Sequence, residues 1–253
     1  MGKIILITSG KGGVGKSTTT CGLGVALCKR GNNVLLIDTD EGLRTLDLMM
    51  GVDSETVFDL EDVLSGRCSV ANAIKEVVPP DENGKRTLRI LPAPANPGVL
   101  KPSSGFDALK KSMAELFDYV LIDSPAGLGI GLEAAASGVD EAFIVTLPDP
   151  VGVRIASMTG RRLEALGIDN SRLIINRYNL KLLKKRAHMD VDDIIDAAQI
   201  RLIGVVPQDG RIPAMTAKGK FIEGCSGAQA YSRIAARLDG KNVPFDLKKL
   251  RVK

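Results

Sequence analysis

Tryptophan is absent from the 253 residues, and aromatics together make up 4%. Such a chain has no row of stacking platforms for single-stranded nucleic acid. Histidine occurs once, at His188, which excludes a histidine-built metal centre and a Ser-His-Asp triad. The cysteines Cys21, Cys28, Cys68 and Cys225 include no C-x-x-C pair, so neither a zinc ribbon nor a disulfide framework is expected. No apolar run approaches the ~18 residues that cross a bilayer. The opening KIILITS lacks the build of a signal peptide, and Gly2 is not followed by Ser or Thr at position 6 for myristoylation. The expected location is cytoplasmic, or at most peripheral on the inner face of the cell membrane. A net charge of +4 permits contact with anionic lipid or DNA and requires neither.

What the chain does contain is a rhythm of short apolar runs: IILIT (4–8), VLLID (34–38), LRILP (88–92), YVLID (119–123), AFIVTL (142–147), RLIIN (172–176) and LIGVVP (202–207). They are continuous and rich in β-branched residues, as strands buried on both faces must be. Helix-length stretches separate most of them: Ser17–Arg30, Phe106–Phe117, Arg154–Leu166, Val191–Ala198 and a closing Ala228–Leu238. Alternation of this kind predicts an α/β fold, a mainly parallel twisted sheet with helices on both faces. The Pro-rich PAPANPGVLKP (92–102) reads as a loop rather than a linker. One domain over 1–240 is expected, followed by a basic tail over 241–253.

Residues 10–17 read GKGGVGKS. Gly10, Gly15, Lys16 and Ser17 match the phosphate-loop pattern, placed after a strand and opening a helix, which is the context that gives the pattern meaning. Glycines let successive backbone N–H groups turn toward phosphate oxygens, and a helix N-terminus favours that negative charge. Gly10, Gly12, Gly13, Val14, Gly15, Lys16, Ser17 and Thr18 are therefore the candidate ATP-binding residues. Lys16 is positioned for the β- and γ-phosphates and Ser17 for Mg²⁺. Asp123, closing the YVLID strand, has the arrangement of a carboxylate that holds Mg²⁺. Asp38 and Asp40 stand at the carboxyl end of another strand, where open α/β sheets bind ligands.

With Lys11, GKGGVGKST resembles the deviant phosphate loop of the MinD/ParA ATPases. The resemblance implies that Lys11 crosses an ATP-bound homodimer to touch the partner's phosphates, in the manner of an arginine finger. It also implies that Asp40 orients the attacking water, making Lys11, Lys16 and Asp40 the catalytic set. Asp38 is implied as a support of the Mg²⁺ site. Pro125, Ala126 and Gly127 are similar to the family's γ-phosphate-sensing switch II. Asn176 matches the adenine-contacting asparagine, and Pro207 and Asp209 match the loop on the other side of the base.

IDTDEGLRTLDLMMG, IDSPAG, NRYN and LIGVVPQD place the resemblance on the MinD side of that family. This implies positioning of the division septum from the membrane, with MinC- and MinE-like regulators received on the helix starting at Arg154. Two departures stand out. Ile155-Ala156-Ser157-Met158 occupies a stretch that is usually acidic in that group. The tail PFDLKKLRVK is short, and at about 100° per residue its Leu247 and Leu250 fall opposite Phe245 and Val252, a poor interfacial helix. Residues 245–253 remain the candidate contact with anionic membrane, because clustered basic charge and two tails per dimer both add attraction. The alternative is a ParA-like partition ATPase that binds DNA non-specifically, with LKLLKKR (180–186) as its basic cluster. An iron–sulfur carrier on the same loop would need cysteines near switch II, and none are there.

Overall fold

A computed structural model describes residues 1–84, 86–185 and 188–245. Residues 246–253 of the tail and Arg186 of the basic cluster lie outside the described residues.

Eight strands form one sheet among the described residues: β1 (Lys3–Thr8), β2 (Val34–Asp38), β3 (Lys75–Val78), β4 (Leu88–Leu91), β5 (Tyr119–Asp123), β6 (Glu141–Thr146), β7 (Ser171–Tyr178) and β8 (Arg201–Pro207). Their spatial order is β3-β4-β2-β5-β1-β6-β7-β8. Every pairing is parallel except β3 with β4. Eleven α-helices accompany them in the described residues: α1 (Lys16–Cys28), α2 (Thr45–Met50), α3 (Leu60–Leu64), α4 (Val70–Ala73), α5 (Ser104–Leu116), α6 (Ile130–Ala136), α7 (Pro150–Ala165), α8 (Leu180–Lys184), α9 (Val191–Ala198), α10 (Arg211–Thr216) and α11 (Ser226–Leu238).

Alternate side chains of the parallel strands enter two separate cores. Ile4 and Leu6 of β1 pack with Phe106, Leu132, Val153 and Ile194, from α5, α6, α7 and α9. Ile5 and Ile7 face Leu23, Leu46, Ile212 and Ile234, from α1, α2, α10 and α11. Each fully buried Leu or Ile contributes about 1.5–3 kcal/mol relative to exposure. That two-sided burial explains why the strands read as unbroken apolar runs.

Two sequence expectations are corrected. The edge strand β3 goes unread because Lys-Glu-Val-Val is no apolar run, and its residues are only partly covered. The helix expected to start at Arg154 starts at Pro150: Asp149 Oδ1 accepts the Gly152 N–H at 2.9 Å, and Pro150 takes the first turn, where its missing N–H costs nothing. The stretch 92–102 is loop.

At the strand-start rim, Arg237 of α11 fastens the chain that follows it. Its guanidinium donates to the Ile203 carbonyl at 2.8 Å, the Val243 carbonyl at 2.9 Å and the Pro244 carbonyl at 3.3 Å. The same group lies 3.9 Å from the Phe245 ring centroid.

Candidate functional site

The strand ends of β1, β2, β5 and β7 converge on one rim, and the phosphate-loop residues leave the central strand β1 there. Gly15 has φ +97°, and a Cβ on it would stand 2.3 Å from the Asn176 amide nitrogen. Both facts demand glycine. At the other end of the loop, a Cβ on Gly10 would meet Ile155 at 2.7 Å and Thr159 at 2.9 Å, both from α7. The loop is thus pressed between β7 and α7. Gly15 caps α1 without any side-chain hydrogen bond, so no side chain competes for the first N–H groups of that helix, the arrangement that suits an anion. Val14 is buried, while Gly12 and Gly13 are exposed and Thr18 half-buried.

The two lysines of the loop part company. Lys16 is 6% exposed, and its charge lowers the carboxyls of Asp40 and Asp123. Lys11 is half-buried with its backbone N–H on the Ser9 hydroxyl at 3.2 Å, and among the described residues it makes no salt bridge.

Asp38 and Asp123 are register partners on β2 and β5, and both are fully buried. Asp123 Oδ1 accepts the Thr20 hydroxyl at 3.0 Å, while its Oδ2 is buried without a hydrogen-bond partner. Asp38 accepts the N–H groups of Asp40 at 2.9 Å and Leu46 at 3.1 Å. Burial is the largest cause that pushes both carboxyls above the usual range; at Asp38 the neighbouring Asp123 carboxylate adds to it, and at Asp123 the Ser17 hydroxyl and Lys16 oppose it. Two buried carboxyls, one with an orphaned oxygen, beside hydroxyls of Ser17 and Thr20 are a donor set for a hard divalent cation such as Mg²⁺. Thr20 was not anticipated. Its signal was its place four residues after Lys16, one turn along the same face of α1.

Asp40 is half-buried, its carboxyl raised by burial and lowered by Lys16. Of the switch II residues, Pro125 is half-buried and Ala126 exposed. Gly127 has φ +103°, and its N–H is engaged by the Ser9 carbonyl at 3.3 Å.

Asn176 reaches the loop directly: its amide donates to the Val14 carbonyl at 2.8 Å and accepts the Arg177 N–H at 2.9 Å. Arg177 holds a left-handed φ of 54° to do so. Pro207 is buried at the end of β8, in register with Tyr178. Asp209, expected in the same loop, turns its carboxylate inward to its own neighbours. Its oxygens accept from the Arg211 guanidinium at 2.7 and 2.9 Å, from the Ser226 hydroxyl at 2.6 Å and from two backbone N–H groups. Arg211 foremost holds this carboxyl well below the usual range. Asp209 knots the loop after β8 to the start of α11.

The model of the CobQ/CobB/MinD/ParA nucleotide binding domain matches residues 5–222. The septum site-determining protein MinD of Bacillus subtilis is 38% identical over 254 residues, covering 98% of this chain and 92% of that protein. Among solved structures, the MinC:MinD cell division complex of Aquifex aeolicus superposes with a TM-score of 0.87 at 35% identity, over 96% of this chain and 98% of that one. MinD of Pyrococcus horikoshii, complexed with Mg-ADP, gives 0.81 at 31% identity, over 94% and 96%. The loop, the buried carboxylates and these likenesses agree: the chain belongs to the CobQ/CobB/MinD/ParA nucleotide-binding family and, within it, to the MinD-like septum-site ATPases.

Proposed function

We propose that this ATPase is a dimerising switch whose output is where it sits. The observation that carries the reading is the contrast between the two loop lysines, Lys16 buried beside the carboxylates and Lys11 only half-buried and, among the described residues, without a salt bridge. One lysine serves the protomer's own ATP. The other is free to reach the phosphates held by a second copy, which ties hydrolysis to dimerisation.

In this reading Gly10, Gly12, Gly13, Val14, Gly15 and Thr18 wrap the phosphates. Ser17, Asp38 and Asp123 hold Mg²⁺, either directly or through its waters. The cation neutralises charge on the phosphoryl oxygens. Asp40 orients the attacking water, Pro125, Ala126 and Gly127 respond to the γ-phosphate, and Asn176 with Pro207 flanks the adenine. Asp209 shapes that last wall from behind. A MinC-like regulator docks along α7, whose exposed face offers Arg154, Met158 and Arg161 beside Met189 and Ala197. That groove is basic where the group's is usually acidic, so a partner here carries complementary acidic residues. A MinE-like activator acts through the same helix. Residues 245–253 contact anionic lipid, and the ATP dimer doubles their number.

Sedimentation with ATP and with ADP tests the first half. Wild type becomes a dimer with ATP, Lys16→Ala loses nucleotide binding, and Lys11→Ala binds nucleotide yet stays monomeric and inactive. Normal turnover by Lys11→Ala overturns the two-lysine argument. For the second half, the Asp40→Ala dimer is offered anionic vesicles and, separately, duplex DNA at two salt concentrations. ATP-dependent pelleting with vesicles, lost on deleting 245–253, supports the membrane reading. Salt-sensitive DNA binding alone replaces it with the partition reading through Lys181, Lys184 and Lys185.

A further inference from the structure

The loop that carries Asp40 is tied down at its root and at its crest. At its root the Thr39 N–H and hydroxyl donate to the Asp123 carbonyl at 3.0 and 2.7 Å, and Asp38 accepts the Asp40 N–H. At its crest the next residue, Glu41, reaches across to the loop 92–102. Its Oε2 accepts the Gly98 N–H at 2.7 Å, and its Oε1 accepts those of Val99 at 2.8 Å and Leu100 at 2.5 Å. Three successive N–H groups converge on one carboxylate, a concave anion nest made accessible by Gly98 at φ +83°. The neighbouring Gly42 N–H adds a bond to the Pro94 carbonyl at 2.9 Å. Beyond these ties the loop is open to solvent, with Leu43 70% exposed. A solvated glutamate needs none of these bonds, and charge-assisted bonds to N–H are among the stronger ones.

We propose that Glu41 is a positioning residue for hydrolysis: by latching onto the amides of Gly98, Val99 and Leu100 it holds the adjacent Asp40 at the angle its role requires. This rests on the reading of Asp40 as the water-orienting group. Glu41 touches neither phosphate loop nor carboxylate pair in the bonds described, so its loss acts on turnover rather than on nucleotide binding.

The test compares Glu41→Ala and Glu41→Gln with wild type by amide hydrogen exchange and by steady-state ATP hydrolysis. In Glu41→Ala, exchange at Gly98, Val99 and Leu100 rises about tenfold or more, while the amides of β1 and β5 keep their protection. Its kcat falls about tenfold with KM for ATP moved less than about threefold, since misplacement costs rate and not ground-state binding. Glu41→Gln, which keeps one acceptor oxygen, falls between, and it carries the comparison if Glu41→Ala fails to fold. Unchanged protection at 98–100 means that the latch does not exist. Lost protection with unchanged kcat means that it does not position Asp40, and a parallel rise in KM and loss of β1 protection reduces Glu41 to a structural role. Each of these overturns the proposal. Asp40→Ala, measured alongside, separates the underlying reading: undiminished turnover there removes Asp40 from the mechanism, whatever the exchange at 98–100 shows.

Discussion

Asp38 and Asp123 stand side by side on adjacent parallel strands, both fully buried, with Oδ2 of Asp123 accepting nothing. Burial holds both carboxyls above their ordinary range. A carboxyl that binds its proton more tightly when folded costs stability as pH rises above its unfolded value of about 4. A divalent cation held by these two carboxyls would displace that proton. The expected result is that adding Mg²⁺ strengthens ADP binding more at pH 8 than at pH 5.5. Calorimetry in two buffers of different ionisation enthalpy will show net proton release on Mg-ADP binding, and Asp123→Asn will reduce it.

Asp209 supports the opposite sign. Its carboxyl is depressed, Arg211 being the largest cause, so its contribution is complete above the unfolded value and is lost as pH falls through the folded one. Asp209→Ala leaves the N–H groups of Arg211 and Ser226 and the Ser226 hydroxyl without their acceptor, at a cost of about 1–3 kcal/mol, while the exposed Arg211 guanidinium turns to water. Urea unfolding at pH 7 will show that loss, and the gap to wild type will narrow in acid.

Lys110 is a lysine without exposed surface. It donates to the carbonyls of Ala134 and Ser137 and pairs with Asp107 at 2.9 Å, and it lies 4.4 Å from the Phe106 ring centroid. It therefore anchors the far end of α6, the helix that follows switch II. Lys110→Met keeps the bulk and strands three acceptors, for about 3–5 kcal/mol. Chemical denaturation measures it; a loss below about 1 kcal/mol, the value of an exposed pair, would contradict the anchoring role.

Gly22 lets α1 meet α11. A Cβ there would stand 2.3 Å from Cδ2 of Tyr231. Gly22→Ala is expected to destabilise by about 1–3 kcal/mol despite its better helix propensity. Combining it with Tyr231→Leu should cost less than the sum of the two single changes, which a thermal-unfolding cycle will read.

How much of this was legible in the sequence depends on what kind of partner each residue has. The strands of the parallel sheet announce themselves because two-sided burial requires unbroken apolar runs, and β3, half-covered at the edge, does not. The phosphate loop and Asp123 show in residue type and spacing alone. Asp149 and Pro150 carry the signals of a helix start, yet the sequence reading begins that helix four residues later, at Arg154. The bonds of Asp209 to Arg211 and Ser226 could not be read beforehand, because Ser226 meets it only in the folded loop, 17 residues on. Glu41 left no trace in residue types, since it binds backbone amides 57 to 59 positions away.

The clamp of Arg237 on Ile203, Val243, Pro244 and Phe245 lies at the strand-start rim, whereas the phosphate loop lies at the strand-end rim. A tether attached beyond Phe245 therefore delivers its pull to α11 and the base of β8. The load enters where the chain is fastened and the chemistry sits a full strand length away. Helix α11 runs from that clamp back to the Asp209 knot and packs on α1 at Gly22, which makes it the lever through which a pull at one rim is felt at the other.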